Sequence, residues 1–172
     1  DTDILYENMM KKFVWGGAKE PGVNIDYNHR RTLMVIKSRL NYARLAKALA
    51  SEGKKDEAVK VLDYCMETFP LEKVTFDPYV ADIIEAYFAA GGSQQGLELS
   101  ETLSSHYFGV LNYYLKQNPY VISSADYELR SALQYTSQAA DACSAAGYKE
   151  KGDEISKKLD AIYAEFAKKL SN

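Results

Sequence analysis

Two histidines, two cysteines and a few paired carboxylates are the side chains in this sequence whose type and spacing could do chemistry. His29 and His106 are the side chains of a type that titrates near neutrality without any shift, so general acid–base work would begin with them. They stand far apart in the sequence, and neither lies within one helical turn of a cysteine. Solvent-facing or satisfied histidines are therefore expected rather than ligands or a general base. Cys65 and Cys143 make neither a disulfide framework nor a zinc site, which needs about four ligands at close spacing. Both fall where helical periodicity places apolar residues, and two small buried side chains are expected. The acid pairs Asp3 with Glu7 and Asp153 with Glu154 lie at charge-rich helix starts, where the helix dipole accounts for them. No G-x-S-x-G elbow, no G-x-x-x-x-G-K-[ST] loop and no H-E-x-x-H pair occurs. No catalytic residue, metal site or cofactor is assigned, and the chain is not read as an enzyme in itself.

The totals narrow the partners. At 172 residues, 47% of them hydrophobic and 26% charged, the chain can bury the core of one domain. A formal net charge of -3 supplies no broad positive field, which argues against nucleic acid and anionic lipid as partners. No apolar run approaches the roughly 20 residues that cross a bilayer, and no signal peptide opens the chain. A soluble polypeptide is expected. Its first residue, Asp1, is not methionine, so an upstream segment removed by processing or truncation is expected too.

The stretch "YARLAKALASEGKKDEAVKVLDYCMETFP", which holds Cys65, reads as two amphipathic helices. Leu45, Ala46 and Leu49 mark the first, Ala58, Leu62 and Cys65 the second, with Gly53 at the turn and Pro70 beyond. Tyr42, Gly53, Ala58 and Pro70 fit the register of a tetratricopeptide repeat of about 34 residues. Related hairpins recur: Gly91 aligns with Gly147, Gly96 with Gly152, and Leu103 with Leu159. From Gly53 to Gly91 is 38 residues, close to one repeat, and from Gly91 to Gly147 is 56, so the later part is elongated. Helices are expected near 2–13, 27–52, 54–69, 78–90, 94–117, 124–146 and 148–170. Asp77–Pro78 and Ser93 supply starts, Ser123 with Asp126 resembles a capping box, and "FPLEKV" and "NPYV" are read as loops. The expected fold is all-α: a tetratricopeptide-like right-handed helical-repeat superhelix of about seven helices, with an elongated hairpin formed by 94–117 and 124–146. One domain spans 1–172, with an N-terminal helix and anchoring loop (1–26), a first hairpin (27–70), a second, elongated one (77–117) and a third with its capping helix (124–170). Ile155, Leu159, Ile162 and Phe166 are the inward face of that cap.

Two surfaces are candidates for binding a protein or peptide. Repeat register puts Ala43 and Lys47, Ala81 and Glu85, and Ser137 and Asp141 on the concave wall. Lys47, Glu85, Phe88 and Asp141 are taken as its candidate residues. Acids at two of the three sites argue against a clamp for a peptide carboxylate. The second surface is the far end of the long hairpin, "YYLKQNPYVI". Fourteen tyrosines are many, and Tyr107, Tyr113 and Tyr114 are expected near one helix face as core. Tyr113, Tyr114 and Tyr120 are nonetheless the candidate docking tip, since tyrosine suits an interface with one wet edge.

The stretch before the repeats, "MMKKFVWGGAKEPGVNIDYNHRR", holds the one tryptophan. Trp15 is expected to anchor this loop on the first long helix, with Gly16 and Gly17 turning the chain beside it. The order "DILYENMMKKFVWGG", "EPGVNIDYNHRRTLM" and "ARLAKALASEGKKDEAVKVLDYCMETFP", followed by "EAYFAAG" and "LNYYL", resembles the C-terminal soluble part of Bacteroidetes membrane proteins of domain of unknown function 2723. These are also called glycosyltransferase family 117 and are similar to protein O-mannosyltransferases. The resemblance covers nearly the whole chain and is most specific at "MMKKFVWGG" and "EGKKDEAVKVLDYCME". It implies a polytopic membrane region upstream that transfers sugar from a lipid-linked donor, and a helical-repeat tail on the extracytoplasmic, periplasmic side. It places the catalytic acids in that membrane region, so none carries over to this chain. The implied role is an accessory domain that positions an acceptor protein or braces the membrane region. The alternative is a free-standing helical-repeat adaptor of an envelope complex.

Overall fold

The computed structural model of the chain describes residues 1–26, 28 and 35–170. Among the described residues the chain is all-α, with no strand. Helix α1, Thr2–Glu7, is capped by the Asp1 carboxylate, which accepts from the Asp3 and Ile4 amides, and runs on as a π-helical turn, Asn8–Lys12. Then follow α2 (Val35–Ser51), α3 (Lys55–Thr68), α4 (Val80–Ala90), α5 (Ser93–Leu115), α6 (Pro119–Ser124), α7 (Asp126–Ala145) and α8 (Lys149–Leu170). The segment 29–34 at the start of the expected helix 27–52, with His29 in it, lies outside the described residues. No helix among the described residues is long and apolar enough to cross a membrane.

Three of the joints between helices are built alike. After α2 the Gly53 amide donates to Ala50 O at 3.0 Å and the Lys54 amide to Leu49 O at 2.9 Å. After α4, Gly91 bonds to Phe88 O and Gly92 to Tyr87 O, and after α7, Gly147 bonds to Ser144 O and Tyr148 to Cys143 O. Each is a Schellman closure, which needs a left-handed residue, and Gly53, Gly91 and Gly147 have φ of 83°, 84° and 95°. Five residues after each turn glycine stands a small residue where the next helix crosses the last. Ala58 is fully buried. A Cβ on Gly96 would come within 2.7 Å of the Phe88 ring, and one on Gly152 within 2.0 Å of Ser144 Oγ. The alignment of glycines in the sequence thus corresponds to one turn geometry used three times.

By contacts the chain divides into two compact units, Asp1–Gly96 and Leu97–Asn172, with the boundary inside α5. In the first, α2 and α4 lie side by side and parallel. Arg39 meets Asp77, and two turns later Lys47 meets Glu85, so the spatial offset equals the spacing of the turn glycines. The core between α2, α3 and α4 contains Tyr42, Leu45, Ala46, Leu49, Leu62 and Cys65, as the periodicity requires, with Ile83 and Ile84. In the second unit α5 and α7 are antiparallel. Tyr107 packs on Tyr135 with ring centroids 5.7 Å apart, and seven residues further along α5 the Tyr114 hydroxyl donates to Glu128, seven residues back along α7. α8 runs parallel to α5, joined by Lys151 to Glu101, Lys158 over the Phe108 ring, and Lys169 Nζ to Leu115 O at 2.5 Å. Ile155, Ile162 and Phe166 of α8 are buried, with Leu159 half-buried between them.

Three expectations are corrected. "NPYV" is not a loop but the start of α6: Pro119 occupies the first turn, and the Asn118 side chain caps it, accepting from the Val121 amide at 3.0 Å. The capping box at Ser123 and Asp126 does not form, because Ser124 and Ala125 close α6 and α7 begins with no side-chain cap. Tyr113 does not share a face with Tyr107. Six residues at about 100° each turn the helix well away from the starting face, so Tyr107 is buried while Tyr113 is exposed.

Candidate functional site

Of the groups that could do chemistry, His29 lies outside the described residues. Cys65 and Cys143 are free and buried, and burial pushes the Cys65 thiol up to about 12, far from a reactive thiolate. His106 lies on α5 with its ring 5.0 Å from Tyr107, and partial burial pulls its pKa below the ordinary value. Among the described residues no group of three His, Cys, Asp or Glu side chains could hold a metal ion. An open cleft of about 690 Å³ in the second unit is lined by Leu97, Glu101, Tyr148 and Glu154 around Lys151. Burial pushes the Lys151 ammonium down, but Glu154 at 3.3 Å and Glu101 at 3.4 Å together hold it above its ordinary value. Lys151, Glu101 and Glu154 are thus joined to one another, and Lys149 and Glu150 also line the cleft.

Of the candidate wall, the first unit brings two residues together. Lys47 Nζ lies 2.7 Å from Glu85 Oε2 and 3.7 Å from Asp82 Oδ1, linking α2 to α4 across the surface. Burial pushes the Asp82 carboxyl up, against the pull of Lys47. Ala43 and Ala81 are buried beneath this pair. Phe88 lies over Gly96 in the turn between α4 and α5. Asp141 is an exposed residue of α7 in the second unit.

The tyrosines at the far end of the second unit are different. Tyr113, Tyr120 and Tyr127 are 59%, 83% and 79% exposed, at the end of α5, on α6 and at the start of α7. Tyr114 stands edge-on to Tyr113 at 5.3 Å, and its bond to Glu128 holds its hydroxyl pKa up. Lys169 tying α8 to Leu115 places the C-terminal end of α8 at the same end, with Tyr163 and Leu170 exposed along it. Short α6 is what creates this surface: by folding "NPYVIS" into a helical turn with Ile122 buried, it turns Tyr120 outward between the two long helices. Tyr127 and Tyr163 were not singled out in the sequence; their signal is a large aromatic side chain off the apolar stripe of an amphipathic helix.

Sequence reasoning also missed two cationic clamps. Arg39 has no exposed surface, yet it pairs with Asp77 and donates to Thr75 O at 3.1 Å and to Phe69 O and Val74 O at 2.8 Å. Its position three residues before Tyr42 and seven before Ala46, on the apolar stripe, was the available signal. Burial pushes the Asp77 carboxyl up, against the pull of Arg39 and of the Tyr79 amide. Lys73 donates to the carbonyls of Ala18, Glu20 and Val23, fastening the N-terminal loop to the connection between α3 and α4. Compared with protein-family models, with curated proteins and with solved structures, the chain matches none.

Proposed function

We propose that this chain is a non-catalytic interaction domain that docks through its tyrosine end. The observation that carries the reading is the exposure of Tyr113, Tyr120 and Tyr127 at one end of a bundle, where on the same helices Tyr107, Phe108 and Tyr135 are buried and Tyr114 is half-buried. Tyrosine offers a large apolar face and one hydroxyl at low conformational cost, and Ser, Asn and Gln of "KQNPYVISSADY" offer adaptable hydrogen bonds beside it. Such a mixture favours a protein surface as the partner. The recurrent hairpin turn supports a helical-repeat scaffold as the frame of this surface.

The resemblance of "MMKKFVWGG" and "EGKKDEAVKVLDYCME" extends the proposal. In it, the domain is the extracytoplasmic tail of a polytopic membrane glycosyltransferase similar to protein O-mannosyltransferases, and it positions the acceptor or braces the membrane region. The test replaces Tyr113, Tyr120 and Tyr127 together by serine in the full protein and measures acceptor affinity and sugar transfer. Loss of either with an unchanged helical spectrum is the expected result. Unchanged affinity and unchanged transfer overturn the docking role of this end.

A further inference from the structure

The N-terminal segment enters the first unit as a bound peptide would. The Trp15 indole lies edge-on to Phe69 with centroids 4.9 Å apart, tilted against Tyr42 at 6.4 Å, and Tyr64 stands 6.0 Å beyond Tyr42. Trp15 Nε1 donates to the Tyr42 hydroxyl at 3.1 Å, and that hydroxyl donates in turn to Met9 O at 3.1 Å. Tyr42 and Phe69 are fully buried under this cover, Phe13 stands edge-on to the indole with centroids 6.1 Å apart while half exposed, and Val14 is 89% exposed. The half-buried indole thus joins the buried Met9 and Ala18 in seating the segment, and Gly16 and Gly17, both at positive φ, turn the chain beside it. Of the remaining ties, Asp3 to Lys54 and Lys19 to Glu67 are surface ion pairs, which hold weakly. Lys73 grips only the carbonyls that follow, of Ala18, Glu20 and Val23.

We propose that Tyr42 and Phe69 form a recognition pocket for a tryptophan-bearing peptide segment, filled in this chain by its own Trp15. The chemistry specifies the ligand. A flat aromatic ring fits edge-on against Phe69, and an N–H on that ring satisfies the buried Tyr42 hydroxyl, which selects indole over a phenyl ring. Because the bond network continues to Met9 O, filling the pocket also sets the end of the helical arm, so occupancy and arm position are one event. This site stands apart from the tyrosine end and does not rest on its role.

The test uses the whole chain with Trp15→Ala, which opens the pocket and leaves the protein without tryptophan, and a synthetic peptide of residues 11–20, KKFVWGGAKE. Peptide tryptophan emission then reports binding directly. Saturable binding with a blue shift is expected for the variant, weakened at least tenfold for the unaltered chain, whose arm competes, as read there from a dye placed on the peptide N-terminus. A peptide carrying phenylalanine in place of Trp15, with both peptides read from the N-terminal dye, should bind about fivefold more weakly, the worth of one hydrogen bond near 1 kcal/mol. Adding Tyr42→Phe to the Trp15→Ala chain should abolish that preference. If the alanine chain loses its helical spectrum, the Trp15→Phe chain takes its place, since a ring still fills part of the site and the tryptophan peptide should displace it. Equal binding to variant and unaltered chain, equal binding of both peptides, or no binding to a folded variant overturns the proposal.

Discussion

Arg39 shows how a single residue decides local structure. A guanidinium with no exposed surface is tolerated because one carboxylate and three carbonyls surround it. Those acceptors come from the loop between α3 and α4, which has no regular bonding of its own to satisfy them. Arg39→Met should therefore cost about 3–5 kcal/mol, as expected when one partner of a buried ion pair is removed. Arg39→Lys should recover little of it, because an ammonium lacks the planar fork that reaches several acceptors at once. Urea denaturation of the three proteins measures both. His106 supplies the pH dependence at this scale. Partial burial lowers its folded-state pKa, so between that lowered value and the ordinary value of about 6.5 the unfolded chain binds the extra proton. The contribution of His106 to stability is thus fully present above about pH 6.5 and lost as the pH falls through this window. His106→Gln should flatten the stability profile there, measured as urea midpoints across pH 5–8; an unchanged slope contradicts the assignment.

Among elements, the helix turns were the most legible part of the sequence. Glycine followed five residues later by Ala or Gly is a local pattern, and both the left-handed closure and the close helix crossing are local needs. The crossing makes a graded prediction. Gly152→Ala should be destabilising by about 1–3 kcal/mol, since its Cβ would stand 2.8 Å from the backbone oxygen of Ala140 as well as against Ser144. Gly96→Ala should cost less, because only the Phe88 ring must move. Gly109→Ala, in the exposed interior of α5 with nothing within 4 Å, should stabilise by up to about 1 kcal/mol. Thermal unfolding of the three variants gives the order. α6 was not legible because Asn-Pro opens a helix and a turn equally well, and a six-residue helix has too few apolar positions to set a period. Lys73 was not legible because its partners are backbone carbonyls of a distant loop, which carry no residue signature; of the partners of Arg39 only the Asp77 side chain carries one, and the other signal was its place on an apolar stripe.

At the scale of the whole molecule, buried apolar side chains accumulate along both units while the far end of the second keeps its tyrosines outward. Lys47 and Glu85, read from the sequence as equivalent positions of a concave wall, pair with and neutralise each other, whereas Tyr113 and Tyr120 are exposed at the far end of the second unit. That contrast moves the functional reading from the groove to the tip. Tyr113→Ser, Tyr120→Ser and Tyr127→Ser combined should leave stability within about 0.5 kcal/mol, as expected for exposed positions, while removing partner affinity. The claim that this surface serves a membrane transferase is tested most directly by reading the coding frame upstream of Asp1 and scanning it for apolar stretches of about 20 residues. Several such spans, with acidic residues in the first outward loop, are the result this account predicts. A single secretory signal peptide leading straight into Asp1 would contradict it.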